Sequence, residues 1–294
     1  MSIGRKIKII KKNILLFIKN FFPEYLYNLL IYRISKKKFS KVLNSPKIYI
    51  KKSSNLDKIN NYEFKYTSQN NEDGIIEYLT SKISEPDKFF VEIGFDYNEF
   101  NSLNLIKNKW NGYLIEGDEL KCDKLNSCIK HFFKNQKIYI ENLFVDYENI
   151  NEILQKKVNK LNFDFFSLDT DGMDYWILEK LNFQPKIICA EYNPWLDKFL
   201  SLTIPKIKKF NYQSDMYYGM SLKALTILMK KKNYKMVAVE SSGNNAFFIK
   251  QNEFNIEFDE INPEISFKKD PKFSQNFYNE IYSKLINKKW IEIN

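Results

Sequence analysis

Three aspartates, Asp169, Asp171 and Asp174, fall within six residues in LDTDGMDYW, and Glu191 and Asn193 share the later stretch AEYNP. Carboxylates gathered this densely can take up protons, hold a polar ligand, or offer oxygen ligands to a hard divalent ion such as Mg²⁺. Earlier, VEIGFDYNEFNSL at 91–103 sets Glu92 two residues before Gly94, and LIEGD carries Glu116 and Asp118. A glycine after an apolar run lets the backbone turn tightly beneath a ligand. A dinucleotide fingerprint would need three glycines there, and this turn has one. The single histidine, His131, lies outside all of these stretches. Any general base is therefore to be sought among the acids.

The elements that must position these residues are short apolar runs alternating with helical stretches from Tyr62 onward, the pattern of a parallel α/β sheet. Strands are expected at 88–94, 111–118, QKIYIENLFV, 162–172 and 185–193, then at YKMVAVE and NAFFIK. Helices are expected at NEDGIIEYLTSKI, SLNLIKNK, ENINEILQKKV, DYWILEKL and SLKALTILMKKK. Five parallel strands closed by a two-stranded hairpin make a mostly parallel seven-stranded sheet with helices on both faces. Ligands of such sheets sit outside the carboxyl ends of the strands. Those ends carry Glu92–Gly94, Glu116–Asp118, Asp146, Asp169–Asp174 and Glu191–Asn193.

Composition narrows the function classes. The chain of 294 residues has a net charge of +10, but residues 1–58 hold 15 Lys/Arg against 2 Asp/Glu, so the remainder is slightly acidic. No helix-turn-helix, zinc-ligand or RNP-like pattern accompanies the positive charge, and nucleic acid is not the expected partner. Cys122, Cys128 and Cys189 form no CxxC pair, which argues against a disulfide scaffold or a Cys/His metal site. No signal peptide is evident, and a reduced, cytoplasmic chain is expected.

The division at residue 58 separates a basic amphipathic helical segment with its connector (1–58) from the main domain (59–294). In IGRKIKIIKKNILLFIKNFF the apolar residues Ile7, Ile10, Ile14, Phe17, Ile18 and Phe21 recur at helical spacing, with Lys8, Lys12 and Lys19 turned away. After Pro23, Leu26, Leu29, Leu30 and Ile34 offer a second stripe. Two readings stand: a hairpin packed on the body with its lysines solvated, or a peripheral anchor on an anionic membrane surface, at the inner face of the cytoplasmic membrane.

YTSQNNEDGIIEYL, FFVEIG, NSLNL, WNGYLIEGD, FDFFSLDTDGMDYWIL, PKIICAEYNP, YYGMSLKALTILMKKKNYKMV and NNAFFI together resemble, in order and spacing, the FkbM-like S-adenosylmethionine-dependent methyltransferases of bacterial polysaccharide and secondary-metabolite gene clusters. The resemblance runs from about Tyr66 to Ile249 and leaves a C-terminal extension. It implies a Rossmann-like class I methyltransferase fold, S-adenosylmethionine as cofactor, and O-methylation of a sugar hydroxyl in a surface-polysaccharide (capsule or lipopolysaccharide) precursor. Glu92 and Gly94 then correspond to the cofactor turn. The family's second glycine falls on Tyr97 or Asn98, and Asn98 is expected to keep the turn by a left-handed backbone. Glu116 is expected to bind the ribose hydroxyls, Asp146 the adenine, and Asp169 to face the cofactor as well.

Asp169, Asp171 and Glu191 are the expected catalytic acids. Asp171, Glu191 and Asn193 are the expected ligands of a divalent ion, while Asp174 is expected to cap its helix. Trp176, Trp195, Tyr217 and Tyr218 are candidates for walls against sugar faces. The missing glycine and the basic head also fit a non-catalytic scaffold at a membrane-bound glycan assembly site.

Overall fold

In the computed structural model, residues 3–50, 58–158, 162–208 and 210–294 are described, with the side chains of residues 3–9 and 11 excepted. Two helices lead, α1 (Ile3–Phe21) and α2 (Glu24–Leu43), divided at Pro23. A short antiparallel pair, β1 (Ile48–Tyr49) and β2 (Phe64–Lys65), precedes α3 (Glu72–Thr80). The sheet then begins: β3 (Phe89–Ile93), α4 (Leu103–Lys107), β4 (Asn111–Glu116), α5 (Glu119–Phe132), β5 (Ile138–Asn142), α6 (Ile150–Lys157), β6 (Phe165–Leu168), α7 (Asp174–Lys180) and β7 (Ile187–Glu191). After β8 (Leu202–Thr203) come α8 (Leu222–Lys231), β9 (Lys235–Val239) and β10 (Asn245–Ile249). The tail carries α9 (Pro263–Ser266), α10 (Gln275–Leu285) and β11 (Ile291–Glu292), and β11 pairs with β8.

The central sheet has seven strands in the order β5-β4-β3-β6-β7-β10-β9. β3 pairs in parallel with β4 and β6, as do β4 with β5 and β6 with β7, while β10 runs antiparallel to both β7 and β9. This is the Rossmann-like class I methyltransferase arrangement. The order reverses between β3 and β6, so the crevice above their carboxyl ends is the place for a ligand.

Burial on both faces explains why the strands FFVEI, FFSL and IICAE are mostly apolar, with Glu92, Ser167 and Glu191 as their polar residues. One face packs Ile93, Phe166, Ile188 and Phe248 against α6, α7 and α8 through Leu154, Ile177 and Leu225. The other packs Phe90, Leu114, Phe165 and Phe247 against α3, α4 and α5 through Ile76, Leu105 and Leu125. α5 is an element that the sequence pattern did not suggest. Asp118 caps it by accepting from the N–H groups of Leu120 and Lys121.

α2 lies on α5, but with a different face from the one its sequence suggested. Its buried stripe is Tyr27, Ile31, Ser35 and Phe39, and Leu26, Leu29 and Ile34 are exposed. α1 departs from the expectation that its lysines are solvated. Lys12 and Lys19 point inward to Asp118, Glu119 and Asp123 on α5, while Ile10, Ile14, Phe17 and Phe21 face outward. No helix among the described residues is long and apolar enough to cross a membrane.

Candidate active site

A crevice of about 600 Å³ opens over the carboxyl ends of β3, β4 and β6, lined among others by Gly94, Phe95, Glu116, Phe144, Asp169 and Asp171. Gly94 has φ +82°, and a Cβ built on it would lie 1.5 Å from the carbonyl oxygen of Asp169. Only glycine fits a backbone in that region at so close an approach. The Gly94 N–H donates to the Ile115 carbonyl at 2.9 Å, and the Asp169 N–H to the Ile93 carbonyl at 3.0 Å. The three strand ends are thus bonded to one another around the turn.

The rest of the turn needs no second glycine. Asn98 does not have a positive φ, which corrects the left-handed role expected for it. An Asp96–Glu99 bridge closes the turn instead, and Phe100 N–H donates to the Thr67 carbonyl. The Asn98 side chain is buried beneath the turn, with Oδ1 lacking a hydrogen-bond partner. It does not line the crevice floor with Gly94.

Glu92 lines the crevice from below and is committed to the protein. Its carboxylate accepts from the N–H groups of Asn101 and Ser102 and from the Ser102 hydroxyl, at 2.9, 2.8 and 2.5 Å. It thereby ties β3 to the start of α4. Burial pushes its carboxyl up to about 7, against the pull of these donors. Glu116 stands at the end of β4. Its Oε2 accepts from Phe95 N–H at 3.1 Å and meets Lys121 Nζ at 3.5 Å, and its Oε1 accepts from Asp118 N–H at 2.8 Å. Three donors leave Oε1 with acceptor capacity for a further donor, and displacement of the long Lys121 contact would free Oε2 as well.

Asp146 is not in the crevice. β5 leaves the ladder at Asn142, and Leu143, Phe144 and Val145 run on to form the crevice wall. Asp146 lies beyond them and accepts from the N–H groups of Glu148 and Asn149, a turn that leads into α6. The apolar Phe144 and Val145 thus occupy the region where an acid had been expected.

Asp169, Asp171 and Glu191 converge beside this crevice, with one carboxylate oxygen from each within 4.8 Å of the others. Burial, then repulsion by Asp171 and Asp174, raises the Asp169 carboxyl. Burial and the charge of Asp169 raise Glu191 well above the usual carboxylate range. Both shifts favour a proton held between the two carboxyls. Burial and Asp174 also raise Asp171, which has a left-handed backbone (φ +52°) and is the most exposed of the three. Oε2 of Glu191 is buried with no hydrogen-bond partner.

Asn193 is spent elsewhere. Its amide donates to the carbonyls of Met216 and Tyr218, and its oxygen accepts from Trp195 N–H. Those bonds hold Asn193 against residues 216–218, and it does not line the crevice. Asp174 holds the strand-to-helix turn, accepting from the N–H groups of Thr170 and Gly172 and from the Thr170 hydroxyl.

Of the candidate aromatic walls, only Tyr218 sits beside the carboxylates. Burial and the charges of Glu191, Asp169 and Asp171 raise its hydroxyl. Trp176 bonds the Ile204 carbonyl, Trp195 packs among Phe273, Phe277 and Tyr278, and the Tyr217 hydroxyl bonds the Lys289 carbonyl. Sequence reasoning missed Tyr212, whose hydroxyl is influenced by Asp171 and Glu191, and also Lys121 and Lys12 on the rim. Lys121 lies on α5, the overlooked helix, and Lys12 reaches Asp118 at 2.7 Å from the far end of the sequence.

No family model matches the sequence, and none of the curated proteins does. Among solved structures, the chain is similar to an S-adenosylmethionine-dependent methyltransferase from Methanosarcina mazei, at 13% identity and TM-score 0.40 over 60% of this chain and 94% of that one. It is similar to the N-terminal domain of EvdMO1 with S-adenosylhomocysteine bound, at 11% identity and TM-score 0.41 over 74% and 94%. M. capricolum TrmK in complex with S-adenosylhomocysteine matches at 16% identity and TM-score 0.37 over 73% and 86%. At such identities and scores the likeness adds nothing to the strand order, and it is the strand order that assigns this chain the class I methyltransferase fold.

Proposed function

We propose that the protein is an S-adenosylmethionine-dependent O-methyltransferase acting on a sugar hydroxyl, in keeping with the FkbM-like resemblance of residues 66–249. The observation that carries this reading is the joined turn of Gly94, Glu116 and Asp169, where the sheet order reverses and a crevice of about 600 Å³ opens. Gly94 suits the cofactor because, with no side chain, it lets the ends of β3 and β6 close together and leaves backbone as the lining of the crevice there. Glu116 offers acceptor oxygens to a ribose diol, and Phe144 and Val145 offer an apolar wall to a base. Bound there, S-adenosylmethionine supplies a methyl group activated on a positively charged sulfur.

The protein's own task is then to hold the acceptor in line and receive its proton. When the acceptor oxygen takes the methyl group, its proton passes to a carboxylate. Asp171 is the group for this, because it is reachable from solvent and burial and Asp174 make it a stronger base than an ordinary carboxylate. Burial favours a proton between Asp169 and Glu191, and with it the pair can both donate to and accept from sugar hydroxyls. Tyr218 and Tyr212 supply ring faces and hydroxyls on the acceptor side.

The surface-polysaccharide precursor as acceptor rests on the FkbM-like resemblance. A Mg²⁺ ion on Asp169, Asp171 and Glu191 is a second reading, favoured by the unpartnered Oε2 of Glu191. Calorimetry with S-adenosylhomocysteine tests the cofactor, and repeating it with Mg²⁺ alone tests the ion. Absence of S-adenosylhomocysteine binding would favour the non-catalytic scaffold instead.

A further inference from the structure

We propose that the outward face of α1 and α2 docks on an anionic lipid bilayer, holding the mouth of the crevice beside the membrane. The proposal goes beyond the methyltransferase reading and stands without it.

From Lys12 to Lys19 the inner face of α1 is engaged by the body. Leu15 and Ile18 pack against Tyr27, Ile31 and Leu120, and Lys12 and Lys19 bond Asp118, Glu119 and Asp123 at 2.7 to 2.9 Å. The orientation of the helix is therefore set by bonds to α5. Its apolar stripe of Ile10, Ile14, Phe17 and Phe21 is left outside, at successive spacings of four, three and four residues. Phe17 and Phe21 are 61% and 68% exposed, with ring centroids 4.3 Å apart. Phe22, Tyr25, Leu26 and Leu29 continue the exposed apolar surface around Pro23 into α2. A contiguous surface of this kind marks an interaction site.

Charge selects the occupant. Residues 3–43 contain eleven Lys/Arg and one acid, Glu24. Arg33, Lys36, Lys37 and Lys41 on α2 are exposed and have no carboxylate partner among the described residues. A second copy of the chain meeting this face would bring two basic surfaces together. An anionic bilayer answers both features, taking the apolar stripe at the level of its headgroups and attracting the surrounding lysines. Lys12 lines the crevice from the opposite side of the same helix, so α1 resting on lipid holds the crevice one helix diameter, about 10 Å, from the surface.

The test is co-sedimentation of the full chain with phosphatidylcholine vesicles containing roughly one-third phosphatidylglycerol. Binding is expected at low salt, is expected to weaken as salt shortens the Debye length from about 10 Å at 0.1 M, and should be far weaker with phosphatidylcholine alone. The double variant Phe17→Asp/Phe21→Asp should bind about tenfold or more weakly, since it removes the apolar insertion. Arg33→Glu/Lys37→Glu should weaken binding through charge alone. All these positions are exposed and away from the crevice, so both variants should keep the far-ultraviolet circular dichroism of the parent. The proposal is overturned if the full chain ignores anionic vesicles at low salt, if Phe17→Asp/Phe21→Asp binds them as well as the parent, or if sedimentation equilibrium finds a dimer that this variant abolishes.

Discussion

The carbonyl oxygen of Asp169 occupies the space that a side chain on residue 94 would need, 1.5 Å from the position of its Cβ. The carboxyl ends of β3 and β6 can approach so closely only because position 94 is glycine. Gly94→Ala combines that backbone collision with a φ of +82°, and should cost more than about 3 kcal/mol or prevent folding. Gly117→Ala is the control, since its Cβ would meet the Phe144 ring at an ordinary 3.6 Å and should cost less than about 1 kcal/mol. Urea unfolding of the two variants decides the matter, and equal costs would contradict this account of the turn.

Glu116 should control cofactor affinity without controlling the fold. Its carboxylate already meets Phe95 N–H, Asp118 N–H and Lys121, yet has acceptor capacity left toward the crevice. A lost hydrogen bond to a charged group costs roughly 1.5–3 kcal/mol, so Glu116→Ala should weaken S-adenosylhomocysteine binding about tenfold or more. Calorimetry measures this directly. Affinity equal to that of the parent would remove Glu116 from the cofactor site.

How much of this site was legible depends on what each pattern encodes. Buried parallel strands such as FFVEI, FFSL and IICAE are mostly apolar runs with acids in or just after their last residues, so Glu92, Asp169 and Glu191 could be placed near strand ends from sequence. The third strand misled because Leu143, Phe144 and Val145 prolong the apolar run after the ladder has ended at Asn142. Asp146 was therefore placed too near the crevice. α5 was hidden by ELKCDKLNSCIKHF, where lysines and polar residues interrupt a stripe completed by two cysteines. Helical spacing in α1 revealed an apolar stripe but not which way it faces. That is decided by Asp118, Glu119 and Asp123, about a hundred residues away.

Asp171 permits an unusually clean substitution. Its φ is +52°, a region that asparagine tolerates at least as well as aspartate, so Asp171→Asn removes the charge with little backbone strain. Turnover should fall about a hundredfold or more, the usual contribution of a general base, while S-adenosylhomocysteine binding stays within about threefold of the parent. Single-turnover methyl transfer alongside calorimetry separates the two effects. Near-parental turnover with cofactor bound would assign the proton to another carboxylate.

Stability should fall as pH rises through neutrality because of buried acids remote from Asp171. Burial pushes Glu63 up to about 7 from an ordinary 4.5, despite hydrogen bonds from Asn60 and from the Ser241 N–H. Its Oε2 is buried with no hydrogen-bond partner. The folded chain therefore holds this proton more tightly than the unfolded chain does. The stability so contributed is complete below about pH 4.5 and is lost as pH climbs through about 7. Glu63→Gln keeps an acceptor oxygen for these donors and removes the titration. Thermal unfolding between pH 5 and pH 8 should show the parent losing more Tm than the variant, by about 2–5 °C for a chain of this size. Parallel Tm profiles for the two proteins would mean that Glu63 does not carry the linkage.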